Sequence, residues 1–177
     1  MYNRISIIGG SGSGKSTLCN ILSKEFDLPA IHLDAINFNA NWVEINKKER
    51  DKIISDKSNE DKWIIDGNYN NTLKERLDKA DLIIWLDYST FMQLKGVFKR
   101  YFHMRNRERT EIPGCKERLN YAFIKYVVTY NKKKRPIIED YLKEIPKNKI
   151  LIFKKQKELN KWIKEFTNNE DILNSII

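Results

Sequence analysis

A glycine-rich stretch near the start of the chain carries the strongest chemical signal. It reads GGSGSGKST and fits the pattern G-x-x-x-x-G-K-[S/T], between a short apolar run and an amphipathic segment. Glycines let successive N–H groups turn toward phosphate oxygens, and a helix N-terminus adds partial positive charge. The pattern therefore predicts a nucleotide site rather than a flexible turn. The predicted nucleotide-binding residues are Gly9, Gly10, Ser11, Gly12, Ser13, Gly14, Lys15, Ser16 and Thr17.

Three side chains at the end of this stretch have distinct predicted roles. The Lys15 ammonium reaches the β- and γ-phosphates, and the Ser16 hydroxyl binds Mg²⁺. Thr17 is able to donate to the α-phosphate. The sequence has no Asn-Lys-x-Asp motif for reading guanine, which favours ATP over GTP. We therefore expect ATP and Mg²⁺ as cofactors.

Two aspartates end apolar runs typical of strands, Asp34 after IHL and Asp66 after WII. The carboxyl ends of parallel strands line the ligand crevice of an α/β sheet. Phosphoryl transfer needs a metal at the β/γ oxygens and a carboxylate that orients or deprotonates the acceptor. We assign Asp66, with Ser16, to Mg²⁺, and Asp34 to the catalytic base. The alternatives are a turn-forming Asp-Gly for Asp66 and a helix cap or loop acid for Asp34.

Two further polar residues have simpler interpretations. Asp87 precedes a Ser-Thr pair and a helical segment, which favours a capping or turn role. His32 lies inside a strand run, where a packed or hydrogen-bonded side chain is more common than a catalytic base.

The segment after Asp34, AINFNANWVE, is rich in aromatic and amide side chains. Phe38 and Trp42 are able to stack on a substrate ring while the asparagines hydrogen-bond to it. The same aromatics are equally suited to packing the loop onto the domain. The predicted substrate-binding residues are Asp34, Phe38, Trp42, Asn68 and Tyr69.

Four arginines fall within ten residues of the segment FKRYFHMRNRERTEIPGCKERL, namely Arg100, Arg105, Arg107 and Arg109. Mobile arginines neutralise charge that develops during phosphoryl transfer and help to exclude water. We predict that Arg100 or Arg105 contacts phosphate, and that the chain reverses at residues 112–114, Ile-Pro-Gly. Solvated helix arginines are the alternative.

Apolar runs alternate with helical patterns along the chain. The strand runs are 4–9, 29–34, 62–67, 81–87 and 149–153, and the helical patterns are 15–26, 46–58, 71–79, 90–107, 117–132, 136–144 and 156–166. This alternation predicts a doubly wound α/β sheet. Residues 90–144 are helical in pattern without a strand, far longer than a crossover needs. We predict one domain, 1–177, with a helical lid at about 95–135.

Composition limits the class of protein. The chain has 177 residues, 41% hydrophobic and 32% charged, which predicts one soluble globular domain. The first apolar run is too short for a signal-peptide core or a membrane span. Two distant cysteines argue against a disulfide scaffold and a structural zinc site. We expect a cytoplasmic monomer that does not bind membranes.

The net charge of +9 is unevenly distributed. Residues 95–164 carry 21 Lys and Arg against 7 Asp and Glu, whereas residues 1–94 carry 12 against 14. Such a basic block attracts a polyphosphate substrate, nucleic acid or anionic lipid. Lysine-rich helices that simply face solvent are the alternative.

The order of these motifs resembles a known family. The phosphate stretch, HLD with a following tryptophan, WIIDGNY, a strand ending in LD and an arginine-bearing arm resemble the DNA topology modulation (FlaR-related) proteins. These are similar to adenylate kinase-like P-loop kinases. The resemblance runs from residue 4 to about residue 136. It implies a P-loop NTPase three-layer fold, with a five-stranded parallel sheet of order 2-3-1-4-5 and the lid between strands 4 and 5.

Two positions depart from the adenylate kinase pattern. Those enzymes have D-G-[FY]-P-R, whose arginine binds the acceptor phosphate, and Asn70 stands in that place here. The second strand run ends in an acid, which is similar to shikimate-type and nucleoside-type kinases that act on a hydroxyl. Both departures favour a hydroxyl acceptor, although Arg50 or Arg76 is available to replace the missing arginine.

Two hypotheses follow. The first is an ATP- and Mg²⁺-dependent phosphotransferase whose acceptor is a hydroxyl-bearing metabolite, a nucleoside or a nucleotide. The alternative is a nucleotide-dependent regulatory protein that binds DNA through its basic arm, although the sequence has no helix-turn-helix, zinc or RNA-binding motif.

Overall fold

The computed structural model describes residues 2–167. The strands are β1 (Arg4–Gly9), β2 (Ala30–His32), β3 (Phe38–Asn39), β4 (Val43–Glu44), β5 (Trp63–Asp66), β6 (Leu82–Leu86), β7 (Glu108–Arg109), β8 (Ile112–Lys116) and β9 (Ile150–Phe153). The helices are α1 (Lys15–Phe26), α2 (Leu33–Asn37), α3 (Lys47–Ser58), α4 (Asn70–Lys79), α5 (Thr90–Met104), α6 (Tyr121–Lys133), α7 (Arg135–Lys143) and α8 (Gln156–Thr167). Single 3-10 turns lie at Ala40–Trp42 and Lys147–Lys149. Within the described residues, no helix is long and apolar enough to cross a membrane.

Five parallel strands form the central sheet in the order β2-β5-β1-β6-β9. These are the five predicted strand runs, so the predicted order 2-3-1-4-5 is confirmed. In the register of the sheet, Asp66 of β5 pairs with Ile7 of β1 on one side and with His32 of β2 on the other. The register therefore places Asp66 at the carboxyl end of the sheet, beside the start of the glycine-rich loop.

Helices cover both faces of the sheet, which gives the predicted three layers. On one face Ile7 packs in a buried cluster with Leu18 of α1 and residues of α8. On the other face Ile8 packs with Leu73 of α4, Ile138 of α7 and residues of α3. Burying one such aliphatic side chain fully contributes about 1.5–3 kcal/mol. Alternate residues of the central strand thus hold helices on opposite faces.

The predicted lid (residues 95–135) is not wholly helical, and the prediction of helix for residues 105–107 is wrong. α5 ends at Met104, and Asn106 has a left-handed backbone with φ of 64°, which an α-helix does not accept. A hairpin of β7 and β8 follows. Arg109 pairs with Ile112, so the chain reverses at residues 110–111.

The predicted reversal at residues 112–114 is therefore also wrong, because these residues lie inside β8. Gly114 has a different role there. Its φ is 75°, and an added Cβ would lie 2.7 Å from the Cβ of Ala40. Gly114 thus lets the hairpin pack closely against the segment after α2.

The second strand is shorter than predicted. β2 ends at His32, and residues 33–37 form α2, so Asp34 lies in the first turn of a helix instead of at a strand end. Leu33 and Asn37 are buried at i, i+4 spacing, which favours a helix with one face on the domain. Asp34 lies on its exposed side.

Asp87 does not have the predicted capping role. Its carboxylate accepts two hydrogen bonds from the Arg135 guanidinium of α7, at 2.8 and 2.9 Å. Ser89 caps α5 instead, because its hydroxyl accepts from Met92 N. Asp87 therefore fixes α7 to the end of β6.

Candidate active site

The phosphate loop (residues 9–17) connects β1 to α1. Gly12 and Gly14 have φ of 77° and 88°, a left-handed region that residues with a Cβ rarely adopt. Ser13 Oγ donates to Gly10 O at 2.8 Å and closes the turn. Because α1 begins at Lys15, the free N–H groups of its first turn lie at the loop. This arrangement is suited to binding phosphate.

α5 packs directly against the backbone of the phosphate loop. A Cβ added at Gly96 would lie 2.0 Å from Gly12 O, and a Cβ added at Gly10 would lie 2.0 Å from Gln93 Oε1. Gln93 Nε2 donates to Tyr88 O at 2.8 Å, which fixes the glutamine against the loop. Since no side chain separates α5 from Gly12, a shift of α5 must displace the loop.

Lys15 lies where four other charged groups act on its amine. Burial lowers the pKa of Lys15, Asp66 and Asp34 oppose that effect, and Arg100 and Arg109 lower the pKa further. These groups come from the phosphate loop, the sheet edge, α2 and the lid. All of them line the same cleft as Lys15.

Ser16 and Asp66 form the candidate metal site. Ser16 Oγ donates to Asp66 Oδ2 at 2.8 Å. His32 Nδ1 lies 2.6 Å from Asp66 Oδ1, and His32 Nε2 lies 3.0 Å from Asn20 Oδ1. Burial lowers the pKa of His32, but the hydrogen bond and charge of Asp66 outweigh it and raise the pKa overall. His32 is therefore hydrogen-bonded, as predicted, and orients the carboxylate.

The ligand atoms at this site favour a hard cation. Cys19, His32 and Asp66 have ligand atoms within 4.8 Å of one another. Burial and the charge of Asp66 raise the pKa of the Cys19 thiol, and Cys19 Sγ donates to Ile64 O at 3.6 Å. A protonated thiol is not a metal ligand. The hydroxyl and carboxylate oxygens that remain fit Mg²⁺.

Asp34 and Tyr69 line the same cleft as the phosphate loop. Tyr69 Oη donates to Asp34 Oδ1 at 2.9 Å. The Arg50 guanidinium stacks on the Tyr69 ring at 4.8 Å and donates to Asn37 Oδ1 at 3.1 Å. Tyr69 is thus held between α2 and α3, and it fixes one carboxylate oxygen of Asp34.

Trp42 packs the segment after α2 against the lid. Its indole Nε1 donates to Lys116 O at 2.8 Å, and its ring contacts Phe38 edge-on at 5.2 Å. The guanidinium groups of Arg109 and Arg118 lie 5.6 and 5.1 Å from the centre of the Trp42 ring. Of the two interpretations of these aromatics, packing is the one that these contacts support.

Two lid arginines meet at one buried acid. Arg100 Nε of α5 and Arg109 Nε of β7 lie 3.0 and 3.6 Å from Glu117 Oε2. Arg100 and Arg109 line the cleft, whereas Arg105 is exposed at the end of α5 and lies outside the cleft. Sequence reasoning missed Glu117, because its partners depend on the hairpin. Glu108 and Glu111 lie between it and the end of α5, so no local pattern marked it.

Asn68 and Arg76 shape the turn after β5. Asn68 Oδ1 accepts from Gly9 N at 3.1 Å, and its Nδ2 donates to Gly9 O at 2.9 Å and to Tyr130 Oη at 3.0 Å. Arg76 is fully buried and donates to Gly67 O and Asn68 O. Asn68 therefore holds the phosphate loop to the neighbouring strand. Of the two arginines considered as replacements, Arg50 lines the cleft and Arg76 does not.

These groups line one cleft of about 1330 Å³ at the carboxyl edge of the sheet. The predicted site residues in its lining are Ser11, Gly12, Gly14, Lys15, Ser16, Thr17, Asp34, Phe38, Trp42, Asp66, Asn68, Tyr69 and Arg100. The predicted residues outside its lining are Gly9, Gly10, Ser13 and Arg105. The cleft is wide enough for a nucleotide and a second small molecule.

Solved structures with a similar fold include two kinases. No family model matches the chain, and no curated protein matches it. Shikimate kinase from Acinetobacter baumannii, in complex with shikimate, has a TM-score of 0.56 at 12% identity and covers 95% of this chain and 94% of its own. The chain shares the α/β fold of this structure, with a five-stranded parallel central sheet. A gluconokinase from Sinorhizobium meliloti 1021 has a TM-score of 0.50 at 13% identity, covering 97% and 91%.

Proposed function

We propose that the protein is a kinase that transfers the γ-phosphoryl group of ATP to a hydroxyl group of a small molecule. The main support is the position of Asp34, an exposed carboxylate that lines the same cleft as Lys15 and Asp66. Such a carboxylate is suited to accept a hydroxyl proton at the place where Lys15 binds phosphate.

The proposed reaction is one phosphoryl transfer in which one P–O bond forms and another breaks. The acceptor oxygen bonds to the γ-phosphorus while the bond to the bridging oxygen of ADP breaks. The hydroxyl proton passes to Asp34 Oδ2, for which the described residues provide no hydrogen-bond donor, while Tyr69 holds Oδ1. Lys15 and the lid arginines stabilise charge on the phosphoryl oxygens. Ser16 and Asp66 would hold Mg²⁺, which would supply positive charge to the β- and γ-phosphates.

The acceptor class is inferred from two sources. Both similar structures are kinases named for small hydroxyl-bearing molecules, shikimate and gluconate. In this chain Asn70 stands where adenylate kinases have the arginine that binds an acceptor phosphate. Arg76 is engaged with backbone carbonyls, and Arg50 is engaged with Asn37 and Asp51. We extend the class of hydroxyl acceptors to this chain, without choosing the molecule.

The test is ADP formation in a coupled assay with ATP, Mg²⁺ and a panel of acceptors. The panel contains shikimate, gluconate, nucleosides and nucleoside monophosphates. We expect at least one hydroxyl acceptor to raise ADP formation above background hydrolysis. If no acceptor does so, the kinase proposal is wrong.

A second candidate is nucleotide-dependent DNA binding, as the resemblance to DNA topology modulation proteins implies. It is favoured by the 21 Lys and Arg against 7 acids in residues 95–164. Electrostatic binding loses about 0.9 log units of affinity per log unit of salt for each neutralised phosphate. A DNA titration at several salt concentrations tests this candidate. Absence of salt-sensitive binding would remove it.

A further inference from the structure

The lid contains a buried acid whose partners are two cleft arginines. The Glu117 side chain is 2% exposed, and Arg100 Nε and Arg109 Nε are 3.0 and 3.6 Å from its Oε2. Arg100 comes from α5 and Arg109 from the hairpin, so Glu117 joins the two parts of the lid. A buried carboxylate away from positive charge would be strongly unfavourable, which explains why both arginines approach it.

The two arginines retain unused donors. Neither Nε forms an aligned hydrogen bond with Glu117 or with any other described residue, although both are buried. The ion pairs with Glu117 run through Nε, which leaves the Nη groups of both arginines for a ligand. Both arginines line the cleft that contains Lys15. Unsatisfied buried donors are costly unless a ligand satisfies them, and an oxyanion is the ligand that guanidinium groups fit.

The effect of Arg100 and Arg109 on Lys15 indicates where this anion binds. Arg100 and Arg109 each repel the Lys15 amine enough to lower its pKa. All three cations line the same cleft, so an anion held by Lys15 lies in the field of both arginines. Arg100 and Arg109 also repel each other, and Glu117 opposes that repulsion. Without Glu117, the two guanidinium groups would move apart.

We propose that Glu117 is a positioning residue that holds Arg100 and Arg109 together so that their free donors face the γ-phosphoryl group. This inference rests on the proposed function for the identity of the nucleotide. Glu117 itself does not touch the nucleotide. It sets the spacing of two groups from different elements, and preorganised donors of this kind stabilise a transferring phosphoryl group.

The test compares binding of the β,γ-imido analogue of ATP with binding of ADP, both with Mg²⁺, by calorimetry. Glu117→Gln removes the charge and keeps the size. We expect this variant to weaken binding of the imido analogue about tenfold, as expected for loss of charge-assisted contacts, and to change ADP binding less than about twofold. Glu139→Gln is the matched control, since Glu139 pairs with Arg135 on the surface.

A positioning role also predicts non-additivity. In an Arg100→Gln/Arg109→Gln background, adding Glu117→Gln should leave the ratio of the two affinities unchanged. If Glu117 had a structural role independent of the arginines, Glu117→Gln would cause a further loss of affinity in that background. If Glu117→Gln does not fold, Glu117→Asp is used, and we expect its ratio to lie between wild type and the double-arginine variant.

The possible results separate the positioning role of Glu117 from the proposed kinase function. Equal weakening of both nucleotides, or a Glu117→Gln effect that persists without the arginines, would overturn the positioning role while leaving the kinase proposal standing. Wild-type protein that binds both nucleotides but phosphorylates no acceptor would instead overturn the proposed function alone. Wild-type protein that binds neither nucleotide would overturn both.

Discussion

Gly96→Ala is expected to lower the stability of the protein, although alanine is the better helix former. Replacing glycine inside a helix gains up to about 1 kcal/mol of propensity. The added Cβ, however, would lie 2.0 Å from Gly12 O, and ordinary contact begins at 3.4 Å, so this contact is 1.4 Å too short. Overpacking of this kind costs about 1–3 kcal/mol. Because the added Cβ meets a backbone oxygen rather than a flexible side chain, the cost lies in the upper part of that range, about 2–3 kcal/mol, and the net loss is about 1–2 kcal/mol.

The same clash acts on nucleotide binding, because α5 and the phosphate loop must separate. We expect the imido analogue of ATP to bind Gly96→Ala at least about tenfold more weakly, since misplacement by 1 Å is severe at such sites. The melting temperature should fall by about 2–8 °C for a domain of this size. Phe102→Ala is the control, because Phe102 is 71% exposed and lies outside the cleft lining. A higher melting temperature with unchanged affinity would refute the reasoning.

Three further predictions test the interior of the site. Asp66→Asn should lower the rate of ADP formation at least about 100-fold at every Mg²⁺ concentration, because the carboxylate charge is lost; rescue by excess Mg²⁺ would contradict this. Asp66 raises the pKa of His32 above 6.5. The contact between the two side chains therefore stabilises the folded protein fully below pH 6.5, and this stabilisation is lost as the pH rises through the pKa of His32 in the folded state. The difference in unfolding free energy between wild type and His32→Asn should shrink as the pH rises above 6.5, whereas a pH-independent difference would refute the coupling of His32 to Asp66. Arg76→Met should destabilise by roughly 2–3 kcal/mol in chemical denaturation, because buried carbonyls lose their donor; a loss below the error of the fit would count against it.

Local sequence patterns predict the sheet well. β1, β5 and β6 are short apolar runs buried on both faces, and the glycine pattern specifies the loop after β1. The boundaries of α1 follow from its apolar spacing and from Gly14, and they match the predicted range. Such features depend on neighbouring residues only, so they are visible without knowledge of distant contacts.

The lid and the acceptor side depend on distant contacts, and prediction was weaker there. β7 has two residues and a polar sequence, so no alternation marks it. Trp42 and Lys116 are far apart in the chain, and nothing local shows that one donates to the other. The pairing of Glu117 with Arg100 and Arg109 arises only when the hairpin folds back onto α5.

The central claim is that the cleft joins a phosphate from ATP to a hydroxyl group on a second molecule. Mass spectrometry of a reaction with Mg²⁺-ATP and the acceptor panel tests it most directly, with wild type and Asp34→Asn side by side. Asp61→Asn is the control, because Asp61 lies on the surface and pairs with Arg4. We predict a phosphoester product formed in step with ADP by wild type and Asp61→Asn, and its near loss in Asp34→Asn. ADP with inorganic phosphate alone for every acceptor, or full product formation by Asp34→Asn, would contradict the account.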